Sequence, residues 1–102
     1  MAQLLVIPSQ TAAVTTKQLV DLSAYESGSL LASALATTEE VDIWFWSGEA
    51  WVLLNDADGT TIALTASRRG VTLQGGMVYA VAKDATASAC SVSVNLGAPL
   101  NT

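Results

Sequence analysis

The sequence predicts a single small all-β domain of about eight short strands, arranged as an antiparallel sandwich or barrel. Three observations predict it. A chain of 102 residues suits one domain and leaves little room for two. The composition is rich in Thr, Val and Ser, which sit well on a pleated surface and poorly in helices. Turn signals recur at short intervals, at Ser27-Gly28, Ser47-Gly48, Asp58-Gly59, Arg69-Gly70 and Gly75-Gly76, and strands so spaced build sandwiches and barrels.

The elements follow in order. Residues 1–13 read as an N-terminal arm: they carry no clear period, and Pro8 lacks the N–H that a ladder needs. Their apolar run Leu4-Leu5-Val6-Ile7 is a liability if free, so it lies on the domain or on a neighbouring chain. It has no basic flank and is too short for a signal-peptide core, and no stretch approaches a membrane span. Residues 14–98 form the β domain, with strands at 14–22, 28–36, 40–46, 50–55, 60–66, 70–74, 76–83 and 88–96, and residues 99–102 are a C-terminal tail. In the last strand Cys90, Val92, Val94 and Leu96 share one parity, and Ser91, Ser93 and Asn95 the other, as a half-buried strand requires. Ile62 and Leu64 alternate with Thr61 and Ala63 in the same way. The segment Ser29–Ala36 also fits one helix face, but eight residues between Gly28 and Thr37-Thr38 are short for a helix, so it reads as a strand.

The stretch Val41–Asn55, VDIWFWSGEAWVLLN, is the most informative. It reads as two strands joined by the loop Ser47-Gly48-Glu49-Ala50. That register sets Trp46 opposite Trp51, Trp44 opposite Leu53 and Asp42 opposite Asn55. On the other face Phe45 meets Val52 and Ile43 meets Leu54, with Val41 beside them. Both faces are then largely apolar, whereas an antiparallel sheet with one wet face is polar on that side. The Val41, Ile43, Phe45, Val52, Leu54 face is free of polar atoms and suits a core. The Trp44, Trp46, Trp51, Leu53 face suits an interface, where Trp is enriched and central. Two other readings stay open. A one-residue slip would exchange the faces, and flat indoles also suit stacking on sugar rings, which needs convergent polar groups as well.

Charge points the same way. Charged residues make up only 13% and hydrophobic ones 51%, little charge for the whole surface of a soluble monomer, so other chains are expected to cover part of it. The net charge of −5, with Lys17, Arg68, Arg69 and Lys83 scattered, excludes a nucleic-acid site built on clustered cations. Arg68-Arg69 reads as a solvated loop pair, or as a clamp for a neighbouring carboxylate. The single cysteine, Cys90, rules out an intrachain disulfide and falls at an inward strand position, as a small core residue. The chain has no His, which removes the commonest general base and the Ser-His-Asp and Cys-His systems. Asp56-Ala57-Asp58-Gly59 begins like a calcium loop but lacks the distal Glu, so it reads as a turn. Gly75-Gly76 lacks the Lys-Ser/Thr of a phosphate loop and reads as a tight turn. No catalytic residue, metal site or cofactor is expected.

From Glu40 onward the chain resembles small phage structural proteins of the capsid decoration or head-tail accessory kind. The resemblance rests on the hairpin Trp46–Trp51, on Asp56–Thr60, Leu64–Ser67, Tyr79–Lys83 and Ala85-Thr86, and it covers about the last 60 residues. Asp84 stands where that family often has Pro. The resemblance implies a jelly-roll sandwich in a virion assembled in the host cytoplasm, oligomeric, without enzyme activity and with no catalytic residues to carry over. The expected function is capsid decoration or stabilisation, with partners in further copies of the chain and a capsid or other virion protein, and with neither nucleic acid nor membrane. Its contacts would come from Leu4, Leu5, Val6, Ile7 and the Trp44, Trp46, Trp51, Leu53 face. The alternatives are a carbohydrate- or receptor-binding module of a tail fibre, and a tail-tube or connector component.

Overall fold

The chain folds like one long hairpin that has been rolled up. A computed structural model describes residues 2–100. Among them are β1 (Ala2–Gln10), β2 (Val14–Asp21), β3 (Ser27–Ala32), β4 (Glu40–Trp46), β5 (Trp51–Leu53), β6 (Ala63–Thr65), β7 (Gly70–Gln74), β8 (Val78–Lys83) and β9 (Cys90–Leu96). The pairs nest: β1 with β9, β2 with β8, β3 with β7, and β4 with β5 and β6, all antiparallel. Rolling the ribbon adds β3–β9 and β4–β8. The first sheet has the order β1-β9-β3-β7 and the second β2-β8-β4-β5, with β6 on the same edge of β4. This is the jelly-roll winding of two facing sheets, and the all-β sandwich expectation holds.

The core lies between the sheets. The first contributes Ile7, Leu30, Leu73, Val92, Val94 and Leu96, and the second Val20, Val41, Ile43, Leu64, Tyr79 and Val81. The alternation read in the last strand is observed: Cys90, Val92, Val94 and Leu96 are buried and the residues between them half-buried. Burial of branched side chains from both sheets is the main stabilising term. Gly28 lies inside β3 rather than in a turn, and glycine suits it because a Cβ there would meet the Leu22 methyls at 2.7 and 2.9 Å. Gly75 is in a turn, where a Cβ would collide with the Tyr25 carbonyl oxygen.

The N-terminal segment differs from expectation. Ala2–Gln10 is a ninth strand, an edge of the first sheet, rather than an arm; Met1 lies outside the described residues. Its register on β9 shifts twice, between Leu5 and Ile7 and between Ile7 and Gln10. Each bulge resets which face a side chain meets, so no single period could run through the segment. Pro8 falls within the second bulge, at an edge, where its missing N–H breaks no ladder. Of the C-terminal tail, Pro99 bridges to Tyr25 and the Leu100 N–H donates to the Ala24 carbonyl at 2.9 Å; Asn101 and Thr102 lie outside the described residues.

One end of the sandwich is closed by polar groups. Lys83 is buried, only 2% exposed, and its Nζ donates to the Asp84 carbonyl at 3.1 Å and to Thr86 Oγ1 at 3.2 Å. Thr86 Oγ1 in turn donates to the Ser88 carbonyl at 2.7 Å. The Glu39 carboxylate accepts from the Ala36 and Ala87 N–H groups, each at 2.7 Å. Those two bonds, aided by the nearby Lys83 ammonium, hold Glu39 below the ordinary carboxylate range.

Candidate functional site

The hairpin registers as read over its upper half. Trp46 pairs with Trp51, Phe45 with Val52 and Trp44 with Leu53, and the Leu54 N–H donates to the Ile43 carbonyl at 2.9 Å. At the tip the Ser47 N–H donates to the Ala50 carbonyl at 3.0 Å and Gly48 has φ of 102°, a conformation that favours glycine. The lower half corrects the reading: Asp42 does not face Asn55 but pairs with Ala63 and Ala82. The chain leaves β4 after Leu54, and Asn55 bridges to Thr61. Between them Asp56 Oδ1 accepts from the Asp58 and Thr60 N–H groups, at 3.2 and 3.0 Å, closing a turn. The returning β6 then takes the edge of β4 that β5 has vacated.

The faces fall as assigned. Val41 and Ile43 are fully buried, with Phe45 and Leu54 packed against the core, although Val52 at the edge is exposed. Trp44, Trp46, Trp51 and Leu53 point away from the core. Trp46 is 42% and Leu53 40% exposed, and Trp44 and Trp51 are half-buried. The rings of Trp46 and Trp51 meet edge to face, with centroids 5.3 Å apart and planes at 63°. Lys17 from β2 places its ammonium 4.5 Å from the Trp44 ring centroid, a cation–π contact.

The neighbouring strands enlarge this surface beyond what the hairpin alone announces. Trp44 pairs with Ala80, and Ala80 with Leu19, so the row Leu19, Ala80, Trp44, Leu53 crosses four strands without a polar side chain. Leu19 is 65% exposed, whereas Ala80, between it and Trp44, is fully buried. The next row holds Ala82, Asp42 and Ala63. Burial raises the Asp42 carboxyl above its ordinary range, reinforced by the negative charges of Glu40 and Asp84 and by a hydrogen bond with Glu40. Further along the same face, Glu40, Thr61, Thr65, Ser67 and Arg68 surround Ala63 in an open polar cleft of about 270 Å³. Sequence reading missed Leu19 and the alanines. The available signal was parity: Leu19 is out of phase with the core residues Val20 and Leu22, and Ala80 and Ala82 alternate with Tyr79, Val81 and Lys83.

The other proposed contact residues divide. Leu4 and Leu5 are exposed, and Val6 is half-buried against the core. Ile7 is a correction: it is fully buried in the core, because the bulge before it turns it inward opposite Val92, and it cannot meet another chain. Leu4 and Leu5 lie on the opposite sheet from the tryptophans, so the two groups do not form one surface. Cys90 is a buried core thiol, as read. Arg68 and Arg69 are exposed in the loop after β6. No group of three or more metal-ligating side chains is found among the described residues. Comparison with protein-family models, with curated proteins and with solved structures finds no match to this chain.

Proposed function

We propose that this chain is a non-enzymatic structural protein of a phage virion, one that decorates or stabilises the capsid through oligomeric contacts. The observation that carries the proposal is the apolar outer surface of the second sheet, where Leu19, Trp46 and Leu53 are 65%, 42% and 40% exposed and Trp44 and Trp51 are half-buried beside them. An exposed contiguous apolar patch marks an interaction site. Each copy contributes a modest burial of apolar surface. On a symmetric shell many such contacts combine, and multivalency converts weak single contacts into high occupancy. The resemblance of the chain from Glu40 onward to capsid decoration and head-tail accessory proteins supports the virion setting and assembly in the host cytoplasm.

The test is incorporation into particles. The Trp46→Ser, Leu53→Ser double variant removes apolar surface from this face while leaving the core intact. Its occupancy on particles is expected to fall about tenfold or more, with an unchanged circular-dichroism spectrum. Wild-type occupancy by the folded double variant would contradict the proposal.

A second reading, a carbohydrate-binding module of a tail fibre, gains support from the polar cleft around Ala63, which lies on the tryptophan face and supplies hydroxyl, carboxylate and guanidinium groups. Against it, Trp46 and Trp51 do not form a flat platform and Lys17 occupies the Trp44 ring. A glycan array and saccharide quenching of tryptophan fluorescence decide it: quenching that saturates favours this reading, and the absence of both signals removes it.

A further inference from the structure

Resting on the reading of the tryptophan face as an assembly contact, we infer that the partner of this face is the same face of a second copy, related by a two-fold axis along the middle of the second sheet, between β8 and β4. The face is complementary to itself about that line. The sheet order β2-β8-β4-β5 sets β2 and β8 on one side of it and β4 and β5 on the other, with β6 sharing the edge that β5 occupies. The rotation lays β4 of one copy over β8 of the other, and β5 over β2. Leu19, 65% exposed, then lies over the partner's Leu53, 40% exposed, on both sides of the axis.

Charge completes the match. Asp42 is half-buried, and the charges that bear on it within its own chain, Glu40 and Asp84, are both negative. The Lys17 ammonium rests on an indole. The same rotation sets Asp42 over the partner's Ala82, one strand spacing from the β2 segment that carries the partner's Lys17, and a lysine side chain spans that gap. Each copy supplies one lysine and one aspartate, so the dimer holds two such pairs. In an isologous contact every residue is used twice, so this pairing needs no further groups.

The area sets the strength. Four strands about 4.8 Å apart and five residues along each, at about 3.3 Å, give a patch of roughly 300 Å² in projection. With side-chain relief the pair buries on the order of 1,000 Å², the lower bound of a specific interface, which corresponds to a micromolar rather than an obligate dimer.

Sedimentation equilibrium of the full chain tests the inference. The wild type is expected to be a dimer with a dissociation constant on the order of 10–100 µM. Lys17→Asp and Asp42→Lys each place like charges together and are expected to weaken self-association about tenfold or more. Mixed in equal amounts, the two variants are expected to associate again, because each charge then meets its opposite across the axis. Thermal melts establish that both variants are folded. Leu19→Glu, at a site exposed enough to leave the fold intact, is expected to weaken the wild-type dimer to a similar degree. A wild type that remains monomeric at about 1 mM overturns the homotypic contact, as does a mixture of folded single variants that fails to associate or a Leu19→Glu chain that dimerises normally. None of these results touches the broader assembly reading, which stands or falls on particle occupancy of the Trp46→Ser, Leu53→Ser variant.

Discussion

The outer faces of the two sheets are built on the same grammar and end in opposite chemistry. On the first sheet the outward positions of β9, β3 and β7 are Ser91, Ser93, Asn95, Ser27, Ser29, Leu31, Gly70, Thr72 and Gln74, with Gln3 and Leu5 on β1. These groups satisfy one another: the Gln3 side chain donates to Ser93 Oγ at 3.1 Å, and the hydroxyls of Ser29 and Thr72 lie 3.3 Å apart. On the second sheet the outward positions include Leu19, Val78, Ala80, Ala82, Trp44, Trp46, Trp51 and Leu53, with the charged Lys17, Asp21, Glu40 and Asp42 among them. The first face is what an antiparallel sheet presents to water. Uncharged hydroxyls and amides suffice there, so a low content of charge is compatible with one wet face. Charge is therefore not what separates the two faces: the second carries more of it, and differs in setting Leu and Trp side chains where the first has hydroxyls and amides.

The comparison can be broken most forcefully at its base, the shared core that assigns each face. Ile43→Ala, at a fully buried site one position from Trp44, is expected to lower unfolding stability by about 2–5 kcal/mol in urea titrations. A loss as small as that of an exposed leucine would mean the faces are reversed. Next come reciprocal exchanges. Leu53→Ser should weaken self-association about tenfold, about 1.4 kcal/mol. Ser93→Leu, flanked by Leu5 and Leu31 on the neighbouring strands, should make the first sheet's outer face adhesive and raise association. Neither exchange should move folding stability by more than about 0.5–1 kcal/mol, and light scattering alongside thermal melts separates the two effects. A smaller change is expected from Lys17→Ala, which removes the cation–π contact with Trp44 at a cost of about 0.5–1 kcal/mol, read as a shift in melting temperature.

The smallest effects concern pH and have opposite signs. Asp42 titrates above its ordinary range in the folded chain, chiefly through burial, so its contribution favours the fold at pH below about 4 and is lost as pH rises through the folded value. Asp42→Asn should therefore stabilise the isolated subunit at neutral pH and have no advantage in acid. Glu39 titrates below its ordinary range because of its two backbone hydrogen bonds. Its contribution is present at neutral pH and disappears as pH falls through that lowered value. Glu39→Gln should be destabilising at neutral pH and neutral in acid. Denaturant midpoints of both variants at the two pH values check the pair.

Most of the fold was legible because its strands alternate. The period of Cys90–Leu96 announced a half-buried strand, and the hairpin register from Trp44 to Trp51 followed from one turn. Where the backbone departs from a regular ladder, legibility fails. The two bulges in β1 scramble parity, so Ile7 read as an exposed contact rather than as core. The early departure of the chain after Leu54 could not be seen, because Asn55 continued the apparent alternation. The site was legible only in the hairpin of β4 and β5. Trp44, Trp46, Trp51 and Leu53 lie in one hairpin, whereas Leu19 joins them only through the long-range pairing of β2 with β8 and of β8 with β4.

The central claim is that another chain covers the tryptophan face when the protein is at work. Acrylamide quenching of tryptophan fluorescence, compared between the dilute free chain and the same chain on particles, tests it most directly. The free chain should be readily quenched, as Trp46 at 42% exposure requires, and quenching should fall several-fold on assembly. Tryptophans equally quenched in both states, or already shielded in the dilute chain, would contradict the account.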